Sequence, residues 1–395
     1  MKLRVKTEPL ALIASDLHLD DRQWGKVYDD SKFAFRQVLD LTINNRVPLV
    51  LCGDVIDVKQ PSIETLSFMR KQIDRFDRKA EASDVIYYIQ GQHEYSEPTW
   101  LSLLEPRYNP PYEKYELLKH VHGKQFQLGK YKCYAIDWTP ADKLADALKA
   151  IPDGIDYLFC HQVWDQFMGS LTSPEGSLEN VNVSKAVFTG DYHKHMVKYV
   201  TNRGGARIPV YSPGATHMRA INEPSQHFVC LLMSDGRVES LPLKSRLVVR
   251  INAKNKAALA DLLANCKRYT RSWLKQVTAD LPTKLQKPLL EVCVKDYNAD
   301  ISAAFDDKFF LWQKIAKRPE TSQKAVKAKA IVDAGAKNCL SMVVPKHQQH
   351  YKLLLRLLSA SKKDIPKIVK QIRFIYVKDA RRKTIKYRVK KLATA

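Results

Sequence analysis

The sequence predicts an α/β fold, on three observations. Five short apolar runs read as strands buried on both faces, amphipathic helical patterns separate them, and each run ends in Asp, His or amide residues. The run at 10–14 leads into Asp16 and His18, and the run at 49–52 into Gly53, Asp54 and Asp57. The run at 85–89 leads into Gly91, Gln92, His93 and Glu94, that at 157–160 into His161, and that at 186–189 into Gly190, Asp191 and His193. Between the first strands, Ser31 is placed to cap a helix carrying Phe35, Val38, Leu39 and Leu41. Ser62 is placed to cap another, with Leu66, Met69, Ile73 and Phe76 at helical spacing. Further on, Val210-Tyr211, 228–233 and 238–241 read as antiparallel strands, with Ser234-Asp235-Gly236-Arg237 as a hairpin turn, which closes a first domain over 1–245.

A second, smaller α+β unit is expected over 246–320, with strands at 247–251 and 289–294 and a helix at 256–267. Residues 321–395 carry helical patterning, with apolar faces at Tyr351, Leu354, Leu355 and Leu358 and at Ile365, Ile368, Val369 and Ile372; Pro345 and Pro366 suit helix starts.

In sheets of this kind ligands gather at the carboxyl ends of the strands, where loops converge over a rigid frame. Five strands here deliver carboxylates and imidazoles, hard and borderline metal ligands, to one rim. Taken singly, each Asp is an ordinary turn former and each His an ordinary loop residue. The ordered set of five points to metal chemistry.

At these residues the chain resembles a known family. Asp16-x-His18, Gly53-Asp54-x-x-Asp57, Gly91-Gln92-His93-Glu94, His161-Gln162 and Gly190-Asp191-x-His193 are similar to the signature of the calcineurin-like metallophosphoesterases, a β-sandwich fold flanked by helices. The likeness is greatest to the SbcD branch, the nuclease subunit of the bacterial and phage double-strand-break processing complex; Pro61-Ser62, Gln162 and Lys194 add to it. The resemblance implies that Asp16, His18 and His193 hold one divalent ion, that Gln92, His161 and Asp191 hold a second, and that Asp54 bridges the two. Mn²⁺ is the expected metal, with Mg²⁺ as the other choice. Two such ions clamp the attacking and leaving oxygens of an in-line displacement and activate water near neutral pH. His93 is expected to serve as general acid or to stabilise the transition state, and Asp57 to orient His93 or a ligand histidine, with a plain turn role as its other reading.

This chain departs from the family pattern twice. Gln92 stands where Asn is usual and Asp191 where His is usual, and both changes fall on the second ion. His193-Lys194-His195 also offers a competing His-x-His register; the Gly190 that precedes Asp191 favours Asp191 with His193.

Composition bounds the rest. No apolar stretch reaches membrane-spanning length, and no signal peptide is expected, because the basic residues near the start precede only a short strand. Seven scattered cysteines without a Cys-x-x-Cys pair suit a reducing cytoplasm. Charge is divided unevenly: residues 1–245 hold 30 Lys+Arg against 31 Asp+Glu, and residues 246–395 hold 35 against 11, so the whole net charge of +23 sits in the second part. A basic segment of that size is the electrostatic footprint of a nucleic-acid binder, and its bland counterpart is a solvated lysine-rich surface.

Three functional readings stand at this point. One is a DNA exonuclease with endonuclease activity, acting in repair, recombination or phage DNA processing. Another is a phosphoesterase on nucleotides or phosphoproteins, which has no use for the charge. The last is a DNA-binding scaffold whose second metal site has degenerated. The resemblance further implies a homodimer and an SbcC-type coiled-coil ATPase docked on the helical tail.

Overall fold

The computed structural model describes residues 7–20, 27–79, 85–104, 117–167, 176–220, 223–253, 256–277, 279–294, 301, 305 and 309–315. The tail at 321–395, with its apolar faces, lies outside them.

Two six-stranded sheets stack face to face. The first takes β1 (Pro9–Ala14), β2 (Leu49–Cys52), β3 (Ile86–Ile89), β4 (Leu118–His120), β11 (His227–Met233) and β12 (Val238–Leu243), in the order β12-β11-β1-β2-β3-β4. β1 to β4 run parallel, while β11 is antiparallel to both β1 and β12. The second takes β5 (Gln125–Leu128), β6 (Tyr131–Ile136), β7 (Tyr157–His161), β8 (Ala186–Gly190), β9 (Met196–Thr201) and β10 (Arg207–Ser212), in the order β5-β6-β7-β8-β10-β9.

Alternation along each strand explains the unbroken apolar runs. Ala11 and Ile13 of β1, with Val50 and Cys52 of β2, face Cys133, Tyr157, Phe159 and Phe188 between the sheets. Leu12, Ala14, Leu49 and Leu51 point the other way, onto Phe35, Val38 and Leu39 of α1 (Tyr28–Asn45) and Met69, Ile73 and Phe76 of α2 (Ile63–Asp77). The far face of the second sheet buries Ile136, Leu158 and Val187 against Trp164 and Leu144, the latter on α3 (Ala141–Lys149). A strand with successive side chains in two apolar layers has no polar positions to spare.

Helix α2 starts as expected, with Ser62 Oγ accepting from the Thr65 amide at 3.0 Å. Helix α1 does not: it begins at Tyr28, and Ser31 sits in its first turn with Oγ donating to the Tyr28 carbonyl. Asp29 and Asp30 in that turn suit the positive end of the helix dipole, which lets the helix start without a capping side chain. β10 is also placed differently: it joins the second sheet, parallel to β8 and antiparallel to β9, and only β11 and β12 form the hairpin around Gly236.

A three-stranded parallel sheet follows, β13 (Val248–Ala253), β14 (Leu289–Val294) and β15 (Phe310–Ile315). The expected single helix is two, α4 (Lys256–Ala264) and α5 (Cys266–Leu274), divided at Asn265. This sheet has its own core of Leu262, Leu290, Val292, Phe305 and Phe309. Arg246, buried, clasps the Asp30 carboxylate at 2.7 Å and the Lys287 carbonyl at 2.8 Å, which ties the start of α1 to this region. Among the described residues no helix is long and apolar enough to cross a membrane.

Candidate metal centre

The carboxyl ends of β1, β2, β3, β7 and β8 meet at one rim and bring the motif residues into three overlapping groups. Asp16, His18 and His193 form one; His18, Asp54 and His93 another; Asp16, Asp54 and His161 the last; within each the ligand atoms lie within 4.8 Å of one another. Asp16, His18, Asp54 and His161 are buried, whereas His93 keeps 38% of its side chain exposed.

The backbone is bent to achieve this. Asp16, His18, Asp54 and Asp191 all take positive φ, at 53°, 44°, 50° and 74°. A side chain in this left-handed region costs roughly 1–3 kcal/mol unless the surroundings enforce it. Here the loops do so: the Asp16 amide donates to the Gly53 carbonyl at 3.1 Å and the His18 amide to the Asp54 carbonyl at 2.9 Å. Glu94, wholly buried, accepts from the Ile56 amide at 2.7 Å and the Gly91 amide at 3.4 Å, pinning the β2 and β3 loops together. Burial and the nearby Asp54 push the Glu94 carboxyl up to about 8.

Glycine is required where chain and ligand nearly touch. A Cβ on Gly190 would overlap the Cys52 carbonyl and His161 Nδ1, and one on Gly91 would overlap the Asp54 carboxylate.

Each histidine is held by one nitrogen. His161 Nδ1 donates to the Cys52 carbonyl at 2.7 Å, His18 Nδ1 to the Asp57 carboxylate at 2.8 Å, and His193 Nδ1 to the Glu223 carboxylate at 2.7 Å. The Nε2 atoms are thereby turned inward: His161 Nε2 lies 3.3 Å from Asp54 Oδ2, His18 Nε2 3.6 Å from Asp16 Oδ1, and His193 Nε2 3.7 Å from the same oxygen. Orientation of a ring by a hydrogen bond on its far nitrogen is how proteins present imidazole to a metal.

The buried polar atoms suit a cation. Asp54 Oδ2, His161 Nε2 and Gln92 Oε1 are all buried without a hydrogen-bond partner. Buried polar atoms left without a partner cost roughly 1–3 kcal/mol each. Gln92 Nε2 donates to Asp191 Oδ1 at 2.8 Å, so the amide and the carboxylate that depart from the family pattern are bonded to each other.

Electrostatics follow the same geometry. Burial opposes ionisation of Asp16, yet His18, His161 and His193 hold its carboxyl well below the usual range. Burial would also lower His161, and the Asp54 and Asp16 carboxylates outweigh it and hold the ring well above the ordinary imidazole value. His18 is pulled in two directions. Burial lowers it while Asp16, Asp57 and Asp54 raise it to about 9, but its Nε2 lies 2.7 Å from Arg219 Nη1, and a guanidinium only donates. The hydrogen bonds decide for a neutral ring: Nδ1 carries the proton toward Asp57 and Nε2 keeps its lone pair.

Asp57 has both expected neighbours, since its carbonyl also accepts from His93 Nδ1 at 3.2 Å. His195 is elsewhere, with Nε2 at 2.8 Å from Ser240 Oγ. Two residues of the centre carry no motif in the sequence. Glu223 fixes His193, and Arg219 also donates from Nη2 to Asp57 Oδ1 at 2.6 Å.

No protein-family model matches the chain, and no curated protein matches it. It is similar in structure to a dimetal phosphatase from Danio rerio, at 12% identity and a TM-score of 0.35, over 60% of this chain and 99% of that one. At that distance the likeness says nothing of chemistry.

Proposed function

We propose that this protein is a divalent-metal-dependent phosphodiesterase that hydrolyses DNA. One observation carries the reading: five strand ends direct carboxylates and imidazole Nε2 atoms into a cluster, mostly buried, in which Asp54 Oδ2 and His161 Nε2 have no hydrogen-bond partner. Asp16, His18, His193 and Asp54 would hold one ion, and Asp54, His161, Gln92 and Asp191 the other. When bound, two divalent ions supply an activated water and neutralise charge building on the phosphate.

The remaining roles belong to the chain. Asp57 fixes His18 through its carboxylate and His93 through its carbonyl, so both rings have set orientations. His93 is the exposed member of its group; with Nδ1 donating to a carbonyl, Nε2 is left to hold or give a proton at the leaving oxygen. Glu94 and the motif glycines keep the loops at the spacing this arrangement needs.

DNA is favoured over small phosphoesters by the 35 Lys+Arg against 11 Asp+Glu after residue 245, a surplus with no use on a nucleotide. Exonuclease action with some endonuclease activity, Mn²⁺ ahead of Mg²⁺, a role in repair or recombination in the cytoplasm, a homodimer and an SbcC-type ATPase partner belong to the same reading. The test is degradation of linear, hairpin and single-stranded DNA by chelator-treated protein with and without Mn²⁺. Metal-dependent cleavage supports the proposal; tight DNA binding without turnover overturns it in favour of a scaffold.

A further inference from the structure

Arg219 is a charged residue that the proposed reaction does not use. It is only 8% exposed, and its Nη1 lies 2.7 Å from His18 Nε2 and 3.4 Å from His193 Nε2. Those two nitrogens are the metal-facing atoms of both rings, since Asp57 and Glu223 take the opposite ones. Nη2 meanwhile donates to Asp57 Oδ1 at 2.6 Å. The guanidinium therefore bonds the same lone pairs that an ion at the Asp16, His18 and His193 position needs.

Its placement is fixed from behind. Glu223 Oε2 accepts from the Arg219 amide at 2.6 Å and the Ala220 amide at 3.0 Å, while Glu223 Oε1 holds His193. Arg250 of β13 reaches the same turn, bonding the Glu223 carbonyl and lying 3.3 Å from Met218 Sδ. By contrast, His161 Nε2 and Asp54 Oδ2 face each other at 3.3 Å, and neither is bonded to an Arg or Lys among the described side chains.

We propose that Arg219 stands as a built-in cation at one of the two ion positions, so that the pair binds unequally. The Asp54 and His161 position fills first and tightly. The His18 and His193 position fills only as the guanidinium withdraws, because two cations cannot share those lone pairs at this separation. This rests on reading the centre as a metal site, and its failure is separable from the failure of that reading.

The experiment is titration of chelator-stripped, full-length protein with Mn²⁺, followed by calorimetry and electron paramagnetic resonance. The parent is expected to take one ion tightly and the next at least about tenfold more weakly, the order expected of a neighbouring like charge. In R219M two ions should bind with similar affinity and give an exchange-coupled dimanganese signal at two equivalents. R219K keeps the charge and should keep the unequal pattern. Circular dichroism establishes that each variant is folded, and R219Q replaces R219M should the latter fail to fold. Two equal tight ions in the parent, or R219K behaving like R219M, overturn the role of Arg219. Absence of Mn²⁺ binding in parent and variants alike overturns the metal reading itself.

Discussion

His161 Nδ1 donates to the carbonyl of Cys52 at 2.7 Å, and this single bond decides which nitrogen faces Asp54. Gly190 permits it, because any Cβ there would collide with both partners. Gly190→Ala should therefore rotate the ring and lower Mn²⁺ affinity by about 10–100-fold, the usual effect of disturbing a group that orients a ligand. Calorimetry on a variant with unchanged circular dichroism checks this; parental affinity would mean that His161 does not bind the ion.

His93→Ala should slow DNA cleavage by about 10²–10⁴-fold while Mn²⁺ binding and DNA binding stay near parental values. Its ring is the most exposed of the cluster and is held by the Asp57 carbonyl. Cleavage at the parental rate would remove it from the chemistry.

Gln92 and Asp191 are bonded at 2.8 Å and should respond as a pair. Either Asp191→His or Gln92→Asn alone is expected to reduce the nuclease rate, and the double variant to recover part of it, since touching residues couple by about 0.5–3 kcal/mol. A double-mutant cycle with metal occupancy measured in parallel tests it. Additive effects, or single variants as active as the parent, would show that the two departures do not compensate.

The buried thiols predict alkaline sensitivity. Burial pushes Cys160 and Cys230 up to about 12, and raises Cys52 and Cys133 as well. Unfolded thiols titrate near about 8.5, so above that pH the folded chain holds protons the unfolded chain has released, and stability falls as pH rises. Each such thiol contributes a slope of about 1.4 kcal/mol per pH unit. Guanidinium unfolding at pH 7.5 and 10 should show a shallower fall in C160A/C230A than in the parent; equal slopes would contradict the assignment.

Removal of residues 321–395, which hold 20 Lys+Arg against 3 Asp+Glu, should weaken DNA binding and flatten its salt dependence. The log–log slope should drop by about 0.9 for each phosphate that the tail no longer neutralises. Hydrolysis of a small phosphodiester should persist, because every proposed ligand precedes residue 200. An unchanged slope would reassign the tail to a protein partner.

The strands that carry the proposed ligands were legible because both their faces are apolar, as in β2 and β7. β5 and β9 were not: each lies at a sheet edge, β5 with only four residues and β9 with most side chains exposed, so no apolar run marks either. The motif residues announced themselves by spacing. Arg219 and Glu223 did not, because they reach the centre through a turn whose neighbours in sequence belong to no motif, and only folding sets Glu223 beside His193. Ser31 misled because Ser is a common helix cap, whereas the acidic pair before it already suits the helix start.

β1 lies in the middle of its sheet, between β2 and β11, and its pairing with β11 joins Leu12 to Leu231. During synthesis the chain has every proposed ligand once His193 is made, yet the strand that completes the sheet beside β1 is still to come. The loop bearing Asp16 and His18 thus cannot be framed on both sides until residue 233 has emerged, and closing so long a loop slows the last step of folding. A half-made chain carries the proposed ligands without their geometry, so the proposed metal centre can assemble only when the domain is nearly finished.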